Sequence, residues 1–286
     1  MNTSKIFTLR SALFLSILWT ISFSACISDK ARNLEAKKEI IDEKKTDIIE
    51  NKSSTTQPTL EDAVISFKSA TKAKLLKDML IVKLKNNTEK QDVLLTQFLS
   101  NYENLLMKET FDIDKMSVSE VEELGYAIYY SEGDRYLGKN TVFIKDGIIQ
   151  YLNPLSSKFI NLYCEDIDNP CCEDAGLSIS RETLVQRVFN WGLFADESKS
   201  TAFSDIAEAS YSSYKFILFN GLDNTPAFDF ETNKFNQEAL SAMEEVELNH
   251  LNTRAGRAFE EYIDVLFGEE FLKTDVVQEY LDDLFE

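Results

Sequence analysis

The chain has 286 residues with 49 acidic and 30 basic side chains, a net charge of −19 at pH 7, four cysteines and a single histidine. A field of that sign repels nucleic acid and anionic lipid headgroups and attracts cations or a basic partner. His250 alone excludes chemistry that needs two histidines, and the chain has neither a Gly-x-Ser-x-Gly elbow for a triad serine nor a Gly-rich phosphate loop.

Lys5 and Arg10 form a positive n-region, and Ser11 to Phe23 is an apolar run too short to span a membrane as a helix. The run closes on Phe23-Ser24-Ala25-Cys26. That junction resembles the lipobox of bacterial lipoproteins, in which a peptidase cuts before a cysteine whose thiol carries a diacylglyceryl group. The resemblance implies a signal peptide over residues 1–25, Cys26 as the lipidated mature N-terminus, and a cell-envelope address with the membrane as first partner. Phe23 stands where the family more often has Leu. Ile27 is not the Asp that retains enteric lipoproteins in the inner membrane, which favours the outer membrane. An ordinary secretory signal cut after Ala25, or an uncleaved anchor, reads the same residues differently.

Residues 27–58 hold seven basic and seven acidic side chains, and residues 59–115 hold nine of each. The whole surplus of a chain starting at Cys26 therefore lies in residues 116–286, with 12 basic and 33 acidic side chains. Between Ser28 and Lys52, Leu34, Ile41 and Ile48 place one apolar residue per heptad where a coiled-coil seam needs two, so residues 26–59 read as a tether ending in the polar linker of residues 51–59. A folded domain is expected over residues 60–286, as one large body or with a subdivision near 110–116.

Helix signals fill that domain. Leu60, Val64, Phe67, Leu75, Met79 and Leu80 form the expected inward stripe of a first helix stopped by Asn86 and Asn87. Thr88 with Gln91 reads as a capping box for a second, carrying Leu94, Leu95, Phe98, Tyr102 and Leu105, and Ser117 with Glu120 opens a third through Val121, Leu124, Ile128 and Tyr129. Ser180 caps a helix with Leu184, Val188 and Trp191 inward. Further helices are expected over 203–219, ended by Gly221, from Asn236 to Leu251, and over 255–267 and 274–285. The class is all-α or nearly so, as a multi-helix bundle or an array of helical hairpins. One segment competes: Asp146-Gly147 between the apolar runs of residues 141–151 is a strong hairpin signal, balanced against an interrupted helix.

Few residues offer chemistry. Cys164, Cys171 and Cys172 remain once Cys26 is lipidated, an odd number in an oxidising compartment. A bond from Cys164 to Cys171 or Cys172 would staple an acidic loop at 165–170, a bond between the adjacent pair would be strained, and a reactive thiol is the alternative. Glu165, Asp166, Asp168, Glu173 and Asp174 lie close in sequence, yet the set matches no zinc spacing. Asp112, Asp114 and Glu123 fit part of a calcium loop that fails at Met116 and Ser117, so Asp112 or Ser117 reads as a cap. Asp229, Glu231 and Asn233 alternate beside Lys234 and make a weak cation site. No cofactor or metal is expected. Gly221-Leu-Asp-Asn-Thr-Pro-Ala-Phe-Asp229 resembles a segment of poorly characterised helical bacterial envelope proteins, which implies architecture alone. Its Asp223, Asn224 and Asp229 are a candidate binding loop, with Phe228 and Phe230 docking it.

These features point to a lipid-anchored, extracytoplasmic binding or structural module, with an acidic surface for a basic protein partner. An immunity or inhibitor protein against a basic toxin or enzyme, and a carboxylate-dependent hydrolase of envelope polymers, are the alternatives.

Overall fold

A computed structural model describes residues 60–86, 90–131 and 133–285, with side chains described from residue 72 onward. Among these residues there are ten α-helices and three two-stranded antiparallel ribbons, so the chain is a mainly helical protein with small hairpins. Cys26, Thr88 and the 51–59 linker lie outside the described residues. The chain forms two compact units: residues 60–169 with 190–208, here the N-terminal unit, and residues 170–189 with 209–285, the C-terminal unit. The 110–116 segment lies inside the first of these.

In the N-terminal unit, α1 (Leu60–Asn86) pairs with α2 (Gln91–Leu106). Ala73, Lys77, Leu80 and Leu84 are the buried face of α1, at alternating spacings of four and three. Leu75 and Met79, expected inside, are 59% and 53% exposed. The helix is apolar on two opposite faces, and the face that packs is the one that carries Lys77. That lysine is accommodated by the Phe143 ring, 4.5 Å from its ammonium, and by Asp146 at 3.5 Å.

Gln91 does not act in a capping box. It starts α2, and its side chain ties down a distant loop, donating to the Tyr151 carbonyl at 2.9 Å and accepting from the Asn153 amide at 2.8 Å. Ser117 and Glu120 do form a capping box on α3 (Val118–Glu123), and Ser117 is the cap rather than Asp112. This third helix ends earlier than its apolar pattern implies. Ile128 and Tyr129 belong to β1 (Tyr126–Ser131), which pairs with β2 (Asp134–Lys139) in register Ile128↔Leu137 and Tyr129↔Tyr136. The unit's hairpin is therefore here and not at 141–151. There the Asn140 side chain accepts from the Phe143 amide and starts α4 (Thr141–Lys145), followed by a 3₁₀ turn at Ile149–Tyr151. Ile144 and Ile148, four residues apart, are both fully buried, so helical spacing prevails over the Asp-Gly turn signal.

Tyr102 is the hub of this unit. Its ring lies between 5.7 and 6.0 Å from those of Phe98, Tyr126 and Phe143, and its hydroxyl donates to the Gly125 carbonyl and accepts from the Asn140 amide at 3.0 Å. Burial holds that hydroxyl in its neutral, donating form. A second cluster joins α5 (Pro154–Asp168) to residues 190–208, with Phe159 stacked on Phe203 at 4.0 Å and the Trp191 indole donating to Asp166 at 3.0 Å.

The C-terminal unit begins with β3 (Cys172–Glu173) and β4 (Gly176–Leu177). It takes the first half of α6 (Arg181–Ser198), capped by the Ser180 hydroxyl, and most of α7 (Ser204–Asn220). Next come β5 (Gly221–Leu222) and β6 (Thr225–Pro226), then α8 (Gln237–His250), α9 (Arg254–Gly268) and α10 (Asp275–Phe285). Asn236 and Thr253 cap α8 and α9 with side-chain oxygens. Its core is again aromatic. Tyr262 stacks on Phe219 at 4.0 Å and on Tyr280 at 5.7 Å, meets Phe235 edge-on, and donates its hydroxyl to the Phe219 carbonyl at 3.2 Å.

Candidate functional site on the paired hairpins of the C-terminal unit

The β3–β4 and β5–β6 ribbons lie against each other because their turns exchange hydrogen bonds. Asp174 and Ala175, at φ 46° and 56°, form a two-residue turn in the left-handed region, a conformation that suits tight hairpins but costs non-glycine residues about 1–2 kcal/mol each. Asn224 offsets that cost by donating its amide to the Ala175 carbonyl at 2.9 Å and its side chain to the Asp174 carbonyl at 2.5 Å. Thr225 Oγ1 accepts from the Leu177 amide at 3.0 Å, and Arg181 donates to the Pro226 carbonyl at 2.8 Å. Gly221, at φ 79°, fits where a Cβ would lie 2.2 Å from the Ala227 nitrogen. The result is a stiff ledge with Glu173, Asp174 and Asp223 exposed on or beside its turns.

The candidate binding loop divides on inspection. Asp223 and Asn224 are on the ledge, Asn224 as its clasp. Asp229 instead closes its own turn, accepting from the Glu231 and Thr232 amides and the Thr232 hydroxyl, which hold its carboxyl below its usual range. Phe228 docks as expected, at 5% exposure. Phe230 does not, at 83%. His250 ends α8, exposed, with its ring 4.5 Å from that of Phe189 and its carbonyl accepting from Thr253.

No disulfide joins Cys164, Cys171 and Cys172, and the expected acidic loop at 165–170 is mostly helix, since α5 runs to Asp168. Two of its acids have structural partners: Asp166 receives Trp191, and Asp168 accepts from Thr141 at 2.6 Å. Cys164 is buried in the N-terminal unit, where burial pushes its thiol up to about 12. Cys171 and Cys172 belong to the C-terminal unit, with Cys171 buried and Cys172 half-buried. The Cys171 thiol hydrogen-bonds to Cys172, and this, with the nearby Arg187 guanidinium, lowers the Cys172 thiol against the opposing effect of burial.

Arg187 is the residue that motif reading passes over. It is 4% exposed, and its guanidinium lies 5.5 Å from the Tyr214 ring and donates to the Tyr214 hydroxyl at 3.4 Å. The available signal is its position in α6 between Val185 and Val188, a charge set inside an apolar stripe.

No protein-family model, curated protein or solved structure matches the chain. Among the described residues there is no cluster of three or more His, Cys, Asp or Glu placed to hold a metal, and no helix long and apolar enough to cross a membrane. The ledge can therefore be read only from its own chemistry: exposed carboxylates at its turns, and adjacent cysteines at the start of β3 that feel the buried Arg187.

Proposed function

We propose that the chain is a lipid-anchored, extracytoplasmic binding module whose C-terminal unit presents carboxylates to a cationic or basic protein partner. One observation carries this reading. In residues 170–189 and 209–286 there are 20 acidic and 7 basic side chains, and four of the basic ones, Arg187, Lys215, Arg254 and Lys273, lie over aromatic rings of the same unit. Glu260, Glu261 and Asp264 of α9 and Glu279, Asp282 and Asp283 of α10 are exposed. Carboxylates at that density attract a basic surface at long range and lose the attraction as salt screens it.

The chain immobilised through its C-terminus and offered envelope extract should retain basic proteins at low salt and release them at high salt, with weaker retention by the Glu260→Gln, Glu261→Gln, Asp264→Asn variant. Empty or salt-insensitive capture would overturn the reading. The anchor is checked separately: Cys26→Ala should move the protein from the membrane fraction to the soluble one.

A further inference from the structure

Neighbouring residues of a regular strand point to opposite faces, so adjacent cysteines within one strand hold their sulfurs apart. The ladder continues one pair beyond β3, with the Cys171 carbonyl accepting from the Ser178 amide at 2.8 Å, but the chain bends at Cys171, and there its thiol hydrogen-bonds to that of Cys172. The two sulfurs differ in access. Cys172 is half-buried and can be reached from solvent, whereas Cys171 is only 8% exposed. Behind them Arg187, pinned on Tyr214, adds fixed positive charge beside Cys172.

We propose that Cys171 and Cys172 are a thiol–disulfide exchange site, with Cys172 the attacking sulfur, Cys171 the resolving sulfur, and a disulfide-bonded molecule the substrate. The Cys171 S–H hydrogen bond and Arg187 stabilise negative charge on Cys172 Sγ, the form that attacks. Cys172 Sγ bonds to one sulfur of R–S–S–R, and the other leaves as R–S⁻ and takes up the proton that Cys172 gave to solvent. Cys171 then gives up its own proton, and its Sγ bonds to Cys172 Sγ and displaces the second R–SH. The substrate disulfide has gained two electrons and two protons, and the chain has lost them as a Cys171–Cys172 bond. That bond is strained, because it closes a ring through a single peptide unit, and strained disulfides are the oxidising, readily reduced ones. The site is thus suited to passing its bond on, while Cys164, whose thiol is raised by burial, stays out of the exchange.

The test uses the chain carrying Cys26→Ser and the chromogenic disulfide 5,5′-dithiobis(2-nitrobenzoate). Two equivalents of thionitrobenzoate should be released per folded chain, no adduct should remain, and peptide mapping should find the bond between Cys171 and Cys172. Adding Cys171→Ser should give one equivalent and leave the adduct on Cys172, Cys172→Ser should slow the first release about tenfold or more, and Cys164→Ala should change nothing. A lasting adduct on the chain that retains both Cys171 and Cys172, or loss of the second equivalent on Cys164→Ala, would overturn the proposal. The mapped bond decides the matter without relying on the folding of any cysteine variant at 171 or 172.

Discussion

In the N-terminal unit the Tyr102 hydroxyl makes two backbone hydrogen bonds inside a ring cluster, and the surface around it is laced with ion pairs between elements, Lys139 to Glu103 and Lys158 to Glu197 among them. In the C-terminal unit Tyr262 plays the same part with one bond, to the Phe219 carbonyl, while four of the seven basic residues there lie over rings and most of the acids are exposed. Residues 60–169 with 190–208 hold 22 acidic and 14 basic side chains, against 20 and 7 in residues 170–189 with 209–286. Similar aromatic interiors thus carry surfaces of different charge. Packing sets stability in both, and what differs on the outside is how far the acidic side chains outnumber the basic ones.

Substitutions can break or sharpen this comparison. Tyr102→Ala and Tyr262→Ala should each cost about 3–5 kcal/mol by urea denaturation, since each removes the ring on which its unit's core converges. Tyr102→Phe should cost about 2 kcal/mol and Tyr262→Phe about 1 kcal/mol, because the first strands a buried carbonyl and a half-buried amide and the second strands one buried carbonyl. Equal costs would mean that the second hydrogen bond of Tyr102 contributes nothing. Ala175→Gly should stabilise the C-terminal unit by about 1 kcal/mol, seen as a higher denaturation midpoint, by relieving a left-handed non-glycine residue. The smallest effect is at Asp229. Its carboxyl is held below its usual value, so its contribution is fully present above that usual value and fades as pH falls through the lowered one. Asp229→Asn should therefore be less stable than the parent near neutrality, with the gap closing in acid.

Helices with side-chain caps are legible from sequence, because a cap is a local hydrogen bond between residues three apart: Ser117 with Glu120, Ser180 with Thr183, Asn236 with Ala239. What escapes is decided at longer range. Tyr126 to Ser131 continues the apolar spacing of α3, and only pairing with residues 134–139 makes it a strand. Phe230 and Phe228 have the same chemistry two residues apart, and the bridge of Phe228 to Phe235 decides which one is buried. The ledge was half legible. Gly221 and the Asp223-Asn224 turn are visible as punctuation, but their clasp onto Asp174 and Ala175 joins residues some 50 positions apart. Leu75 and Met79 escape for another reason: α1 has two apolar faces, and periodicity cannot choose between them.

The two units are also threaded through each other along the chain. α6 and α7 each start in one unit and end in the other, so neither unit is a contiguous stretch of sequence. On a ribosome, or through a translocation channel, Phe159 must wait for Phe194 and Phe203 before its cluster can close, and the hairpin ledge waits for residues 221–226. A cut after residue 169 would leave Phe159 without its stacking partners. The Tyr102 cluster can close once Phe143 has emerged, but the Phe159 cluster and the C-terminal interior are withheld until most of the chain is made, and during that interval their exposed aromatic rings are what a chaperone would have to shield.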